Sequence, residues 1–313
     1  MHMQIHYGYE DLKFVRPVVT LGIFDGVHRG HRFLLDRVIK KACDTGGESV
    51  VITFYPHPRM VLDRNSKALT FLTTLGEKTA LLEKSGIDHL IMIEFTREFS
   101  RISACDFVKD ILVGKIGAKH LIVGYDHHFG RKGEGDFSTV LKCSESLDLS
   151  VERVEGLNSG DDIVSSSLVR EALLSGRVEE AARLLGYHYE LTGSVIEGRR
   201  LGRTIGFPTA NILPNDSHKL IPMKGVYAVE VFTAGTMYPG MLSIGSNPTV
   251  NRDESFRSIE VHMIGFHGDV YNSIISVVFR KRLRDEIRFE SIEALARQME
   301  SDLQATRKIF SEK

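Results

Sequence analysis

The sequence predicts an α/β domain built on an open parallel sheet, followed by a small antiparallel β domain and a C-terminal helix. Three observations carry this expectation. Short apolar runs alternate with helical patterns through the first half of the chain. Near Gly186–Tyr189 the texture changes to short strands with turns rich in Gly, Asn and Pro. The tail then shows one apolar face at helical spacing.

In the first half, residues 18–24, 50–54, 90–95 and 121–125 are apolar runs of the length found in strands buried on both faces. After His31, the apolar residues Leu34, Leu35, Val38, Ile39 and Ala42 recur at helical spacing. Residues 80–82 and 107–116 suggest further helices. Strands alternating with helices argue for an open parallel sheet whose ligands sit at the strands' carboxyl ends. Residues 165–176 and 178–186 read as two short helices broken at Gly176. From Tyr189 onward, residues 189–196, 226–232, 238–244, 258–264 and 274–279 read as strands of a small antiparallel barrel or sandwich. Ile292, Leu295, Ala296, Met299 and Leu303 share one face of a closing amphipathic helix. The expected domains are 1–186 and 187–313, joined without a long linker.

The bulk properties narrow the function classes. A chain of 313 residues is long enough for two cores. Its net charge of -1 gives no global footprint for nucleic acid or an anionic membrane. No stretch approaches the roughly 20 apolar residues needed to cross a bilayer. The segment Met1-His2-Met3-Gln4-Ile5-His6-Tyr7 lacks the regions of a signal peptide, so a cytoplasmic protein is expected. Cys43, Cys105 and Cys143 are widely spaced and form no Cys-x-x-Cys pair. They are expected to be reduced, mostly buried thiols.

Two stretches carry chemistry. The first is Thr20-Leu21-Gly22-Ile23-Phe24-Asp25-Gly26-Val27-His28-Arg29-Gly30-His31, where a strand enters a glycine-rich turn. It is neither a dinucleotide fingerprint nor a P-loop. His31 is expected near a helix N-terminus, where free N–H groups favour anions. Two imidazoles three residues apart can donate hydrogen bonds to phosphate oxygens as charge builds in a displacement at phosphorus. Zinc ligation lacks further ligands at suggestive spacing. Structural surface histidines fit the flanking glycines poorly.

Two later segments suit the same site: the polar, glycine-dense run from Gly124 to Asp136, and Ser165-Ser166-Ser167-Leu168-Val169-Arg170, which opens a helix with hydroxyls and a cation. A plain loop and an ordinary N-cap are the bland alternatives. Arg170 sits in a first turn, where the dipole disfavours cations, and this favours phosphate.

The second stretch is Gly202-Arg203-Thr204-Ile205-Gly206-Phe207-Pro208-Thr209-Ala210-Asn211, preceded by the basic run Gly198-Arg199-Arg200-Leu201. In an extended segment Thr209 and Asn211 point the same way. Both offer oxygen donors to a Mg²⁺ that also holds ATP phosphates. Taken bare, the segment reads more readily as a hairpin turn with a hydroxyl cap.

Taken together, the chain resembles the bifunctional riboflavin kinase/FAD synthetase family over nearly its whole length. His-x-Gly-His and Ser-Ser-Ser-x-x-Arg are similar to the nucleotidyltransferase superfamily. The loop from Tyr125 to Gly130 and Thr53-Phe54-Tyr55-Pro56-His57-Pro58 resemble its flavin-adenylylating branch. Gly225-Val226-Tyr227-Ala228, Asn247-Pro248-Thr249 and Ile259-Glu260-Val261-His262 resemble the riboflavin kinase domain, in the same order.

The resemblance implies a nucleotidyltransferase-like α/β domain followed by a β-barrel kinase domain with a C-terminal helix. It implies phosphorylation of riboflavin to FMN, then joining of FMN to AMP from a second ATP, giving FAD and pyrophosphate. ATP is the implied co-substrate, with Mg²⁺ or another divalent cation. By the same resemblance His28 and His31 stabilise the transition state of AMP transfer, and Glu260 is the base that takes the riboflavin hydroxyl proton. Gly22, Phe24, Asp25, Gly26, Gly124, Asp126, Ser165, Ser166 and Arg170 are candidate nucleotide or phosphate contacts in the first domain. In the second, Gly202, Arg203, Gly206, Pro208, Asn211, Asn247, Tyr271 and Arg284 are candidate nucleotide or flavin contacts. Thr209 and Asn211 are the candidate cation ligands, and Asp269 and Phe289 fall in the flavin-side segment.

The chain departs from the family pattern at Ile23, at Ser167 and Leu168, at Val250, and at Asn272, where Gly is usual. None of these removes a group assigned to chemistry. Two rival readings are another nucleotidyltransferase with an accessory barrel, and a flavin-sensing protein with dead sites. Oligomeric state is left open.

Overall fold

The computed structural model describes residues 2–63, 68–160, 162–198, 202, 205–246 and 257–311. Arg199, Arg200, Leu201, Arg203, Asn247, Pro248, Thr249 and Val250 lie outside the described residues. The chain divides into two compact units, Met1–Ser166 and Ser167–Lys313. Among the described residues no helix is long and apolar enough to cross a membrane.

The first unit is a six-stranded sheet in the order β1-β4-β3-β2-β5-β6. Its strands are β1 (Gln4–Tyr7), β2 (Val18–Leu21), β3 (Ser49–Tyr55), β4 (His89–Glu94), β5 (His120–Gly124) and β6 (Ser150–Val154). Every neighbouring pair is parallel. The central runs are mostly apolar because both faces are covered, with Thr20, Ser49 and Thr53 as buried exceptions. Val19, Leu21, Val50, Ile52, Ile91 and Ile93 point to one face, where Phe107, Val108, Ile111 and Leu112 cover them. Val18, Val51, Leu90 and Met92 point to the other, packed on Leu34, Leu35 and Val38 of helix α1 (Arg29–Thr45) and Leu82 of α3 (Leu75–Lys84).

The four expected strands of this sheet are present. Its edge strands β1 and β6 were not legible, since an edge strand needs no continuous apolar run; β1 is largely exposed. Short helices α2 (Pro58–Leu62) and α5 (Phe137–Ser144) were also unexpected. The helical segment α4 starts at Ala104–Asp106 and continues as π-helix over Phe107–Val113. A two-stranded hairpin, β7 (Asn158–Ser159) with β8 (Asp162–Ile163), completes the unit.

The cysteine expectation needs correction. Cys105 on α4 and Cys143 on α5 are joined in a disulfide, their Cα atoms 5.3 Å apart. Cys43 is exposed, as is Cys105. A separation of 38 residues hides the pair from sequence. Only the packing of α5 against α4 brings the two together.

In the second unit the strands β9 (Glu190–Ile196), β10 (Ala210–Pro214), β11 (Gly225–Thr233), β12 (Thr236–Ser246), β13 (Arg257–Met263) and β14 (Ile274–Arg284) close into a barrel ordered β10-β13-β12-β11-β14-β9. All its pairs are antiparallel. Of the barrel or sandwich expected, the closed barrel is what forms. Leu191, Val195, Tyr227, Val229, Leu242, Val261, Val277 and Phe279 fill it, and Tyr227 meets the Phe279 ring edge-on at 5.3 Å between centroids.

Helices α6 (Ser166–Leu174), from Ser167 on, and α7 (Val178–Leu185) belong to this unit. The Met223 N–H donates to the Leu173 carbonyl at 2.9 Å, and α7 lies on β14. The C-terminal helix α8 (Ile292–Ser311) forms as expected.

Candidate active sites

In the first sheet β2 is followed by β3 on one side, while β5 lies on the other. The crevice at the carboxyl ends of β2 and β5 is therefore the topological switch point, where open α/β sheets bind ligands. Val18 pairs with His120 and Val19 with Leu121. The same register, carried on, sets Gly22 level with Gly124. Both candidate loops leave the sheet there.

The β2–α1 turn is built from unusual backbone. Phe24 (φ 51°), Gly26 (φ 81°) and Val27 (φ 36°) are all left-handed. This is strained for an aromatic and a β-branched residue, and such strain persists only where the surroundings enforce it. Phe24 and Val27 are buried. Asp25 supplies most of the rest. Its carboxylate accepts from the Leu72 N–H at 2.9 Å, the Thr73 N–H at 3.1 Å and the Thr73 hydroxyl at 3.3 Å. Thr73 Oγ1 in turn accepts from the Gly26 N–H at 3.1 Å, and the Ser166 hydroxyl donates to the Asp25 carbonyl at 2.9 Å. Asp25 and Ser166 thus hold the turn itself. Thr73 was not foreseen, and nothing in its local sequence marks a partner 48 residues away.

His28 is the N-cap of α1. Its Nδ1 accepts from the His31 N–H at 3.2 Å, and the two rings stack at 3.6 Å between centroids. An accepting Nδ1 places the ring proton on Nε2, so His28 presents a neutral N–H donor. Gly30 permits the approach: a Cβ there would lie 3.1 Å from the Val164 carbonyl and 3.2 Å from the His28 ring. Burial holds His28 down at about 4 against a weaker pull from Asp25. His31 is lowered well below the usual range by burial, then by His28 and Lys78. Its buried Nδ1 has no hydrogen-bond partner among the described residues.

The His28 shift has a consequence for acid stability. The folded state resists a proton that the unfolded chain takes up at about 6.5. Stability from this group is therefore complete above pH 6.5 and is lost as pH falls through 4. For His28 alone the loss is about 3 kcal/mol. The urea midpoint should fall between pH 7 and 4.5, and His28→Asn, which keeps a capping acceptor, should flatten that fall. An unchanged slope in the variant would contradict the assignment.

Gly124 ends β5, and Asp126 is exposed just beyond it. The loop closes where Phe129 and Gly135 exchange hydrogen bonds at 3.3 and 2.8 Å. Burial lowers His127 to about 4, and its Nε2 is unpartnered among the described residues. Ser165 lies with His28 and His31 in the first unit, while Arg170, one turn along α6, belongs to the second.

In the second unit the candidate residues gather where β10 meets β13. Asn211 is paired with Glu260 in the register, and the Thr209 hydroxyl donates to Glu260 Oε2 at 3.2 Å. Ala210 and Val261 point into the barrel, so Thr209, Asn211 and Glu260 share its outer face. The approach is shaped by glycines. The Gly202 carbonyl accepts from the Phe207 N–H at 2.8 Å, and a Cβ on Gly202 would lie 2.1 Å from the Phe207 carbonyl. Gly206 is left-handed (φ 84°). A Cβ on Gly198 would fall 2.0 Å from Asn211 Nδ2, so the Asn211 amide lies directly on that backbone. His262, not foreseen, donates from Nδ1 to the Pro208 carbonyl at 2.8 Å and fixes the segment before Thr209.

The flavin-side candidates are engaged locally. The Tyr271 N–H donates to Asp269 at 2.9 Å, and Asn272 adopts φ 59°, a conformation asparagine tolerates and glycine adopts freely. Arg284 donates from Nε and Nη2 to Asp302 at 3.0 and 2.8 Å, and from Nη1 to the Asp285 carbonyl at 3.0 Å. Its guanidinium lies 5.8 Å from the Phe289 ring centroid. This pair ties β14 to α8, and Asp302 is buried.

Comparison with known proteins adds a second line. The FAD synthetase family matches residues 13–168, and the riboflavin kinase family matches residues 185–310. A bifunctional riboflavin kinase/FMN adenylyltransferase of Listeria monocytogenes is 38% identical over 95% of this chain and 93% of its own length. The Escherichia coli protein of the same name is 38% identical over 94% of this chain and 92% of its own. A solved structure described as a macrolide-efflux protein from Streptococcus pneumoniae superposes with a TM-score of 0.88 at 30% identity, covering 97% of this chain and 98% of that one.

Proposed function

The chain belongs to the bifunctional riboflavin kinase/FMN adenylyltransferase family, and on that premise we propose how its residues divide the two reactions. The protein is an enzyme of flavin cofactor synthesis that uses ATP twice. The second unit transfers a phosphoryl group from ATP to the riboflavin hydroxyl, giving FMN and ADP. The first joins FMN to AMP, giving FAD and pyrophosphate. The efflux description of the Streptococcus pneumoniae structure does not travel with its fold.

The stacked His28–His31 pair at the switch point is the observation that carries the adenylylation reading. Both imidazoles are neutral at neutral pH, so they act as hydrogen-bond donors toward phosphate oxygens. The FMN phosphate is already a nucleophile and needs no base. An attack on the α-phosphorus places new charge on its oxygens and on the departing pyrophosphate. Donors set in advance stabilise that charge without reorganising at the moment of reaction.

In the barrel, Glu260 takes the proton of the riboflavin hydroxyl as it attacks ATP. Thr209 holds the carboxylate by its hydroxyl, and Asn211 faces it from the neighbouring strand. Hydroxyl, amide and carboxylate oxygens suit a hard divalent cation such as Mg²⁺, with Thr209 and Asn211 as its protein ligands. Such a cation, when bound, neutralises phosphate charge.

The direct test is incubation with riboflavin, ATP and Mg²⁺, with chromatographic separation of riboflavin, FMN and FAD. Both products should appear in sequence. The activities should also separate. A chain of residues 167–313 should fold and form FMN but no FAD. Shortening it to 187–313 removes α6 and α7, whose Leu173, Val178, Ala181 and Leu185 are buried, and should lower its melting temperature. A folded 167–313 chain that binds ATP yet makes no FMN would refute the division.

A further inference from the structure

We propose that the Cys105–Cys143 bond is a thiol–disulfide exchange site whose state sets the grip of the first unit on its substrates. Small thiols and their disulfides are the reagents it takes. The proposal rests on the adenylyltransferase reading of that unit. Cys105 lies on α4 and Cys143 on α5, with Cα atoms 5.3 Å apart. Cys105 is exposed and Cys143 half-buried, so an incoming thiolate meets Cys105 first. Exposed disulfides are the ones that exchange readily.

The bond joins the two supports of one loop. Residues 125–136 leave the carboxyl end of β5 at the switch point and end at Asp136, the N-cap of α5. On the way the loop sits on the start of α4. The Arg131 N–H donates to the Ile102 carbonyl at 3.0 Å, and the Ala104 N–H donates to Glu134 Oε1 at 3.3 Å. A Cβ on Gly130 would fall 2.8 Å from the Ala104 nitrogen, and one on Gly135 would fall 2.7 Å from the Ala104 Cβ. Phe129 meets the Phe107 ring edge-on at 5.5 Å between centroids. Ala104 is the residue before Cys105. The seat of the loop and its exit helix are therefore tied together covalently.

Helix α5 is otherwise thinly held. It spans 8 residues, too few for a helix to persist without packing. Val140 is its buried apolar side chain, with Phe137 half-buried beside the core. Breaking the bond leaves α5 on that small contact and frees the loop ahead of it. Gly124 and Asp126, the candidate nucleotide contacts, stand where that loop begins. A looser loop costs more entropy to order around FMN and ATP, so substrate affinity falls.

The exchange runs in two balanced steps. A thiolate attacks Cys105 Sγ, the S–S bond breaks, and Cys143 leaves as a thiolate that takes up the proton. A second thiol attacks the mixed disulfide, frees Cys105 and departs in the small-molecule disulfide. Two electrons and two protons pass to the cysteine pair, and the reverse steps restore the bond.

The test uses the full chain as wild type, as Cys43→Ser, and as the double variant Cys105→Ser/Cys143→Ser. Each is equilibrated with reduced or with oxidised glutathione, and alkylation followed by mass spectrometry counts the free thiols. FAD formation from FMN, FMN formation from riboflavin, and the melting curve are then measured. FAD formation by the oxidised wild type checks the underlying reading; its absence sinks that reading before the pair is judged. Losing a cross-link lowers the melting temperature whatever its role, so activities are read well below each transition.

In reduced wild type and reduced Cys43→Ser, kcat/KM for FAD formation should fall about fivefold or more through a raised KM, and recover on reoxidation. FMN formation should stay within about twofold, because the kinase residues lie in the second unit. The double variant should stay at the low level in both mixtures. If it fails to fold, the reduced and oxidised Cys43→Ser chains decide alone. A pair that stays oxidised in the folded protein under excess thiol overturns the proposal. So does FAD formation that differs by less than about twofold between the two states, or a loss shared equally by FMN formation.

Discussion

Replacing His28 or His31 with alanine should lower the turnover of FAD formation from FMN by about 10²–10³, with a much smaller change in ATP binding. The expectation follows from the state of the rings. His28 is held as a neutral Nε2–H donor because its Nδ1 accepts from the His31 N–H. Burial keeps both rings uncharged. A neutral donor gains most where charge grows, in the transition state, and least in the ground state.

The two positions should not behave alike. His28→Ala also removes the N-cap of α1, which typically costs about 1 kcal/mol of stability. His28→Asn retains a capping acceptor and separates that loss from the chemical one. Because the rings stack at 3.6 Å, the double variant should lose less than the product of the single losses. Steady-state kinetics with supplied FMN, alongside ATP titration, reads all of this. Intact turnover with weakened ATP affinity would recast the pair as ground-state binding residues.

The sequence shows residue types and local periods, and its reach ends there. The strands β2 to β5 were legible because each is buried on both faces and so carries a nearly continuous apolar run. Strand β1 was not, since Gln4, Ile5 and Tyr7 are exposed at the sheet edge and only pairing with β4 defines it. The histidine pair was legible because glycines and an incoming strand surround it within 12 residues of chain.

Asp25 shows the limit. Its place in the motif suggests a nucleotide contact, while its carboxylate is taken up by Leu72 and Thr73, partners 47 and 48 residues away. Arg284 is similar: a candidate flavin contact by position, its fork is engaged by Asp302 on α8. The Cys105–Cys143 bond arises from helix packing that no spacing encodes. In each case the missing information is a tertiary contact.

Glu260→Gln should stop the kinase while sparing the adenylyltransferase. Glutamine keeps the size of the side chain and an oxygen that can accept from the Thr209 hydroxyl, now at 3.2 Å. The register of Asn211 against position 260 is set by backbone pairing and does not depend on the carboxylate. What is lost is a base able to take the proton of the riboflavin hydroxyl. General-base assistance is typically worth about 10²–10⁴ in rate, so FMN formation should fall within that range. FAD formation from supplied FMN should be nearly unchanged, because that nucleophile already carries its charge and reacts in the first unit. Both assays are therefore run on one preparation of folded protein, once from riboflavin and once from FMN. Normal FMN formation by the variant eliminates Glu260 as the base. Equal loss of both activities indicates damage to folding, and a melting curve then identifies it.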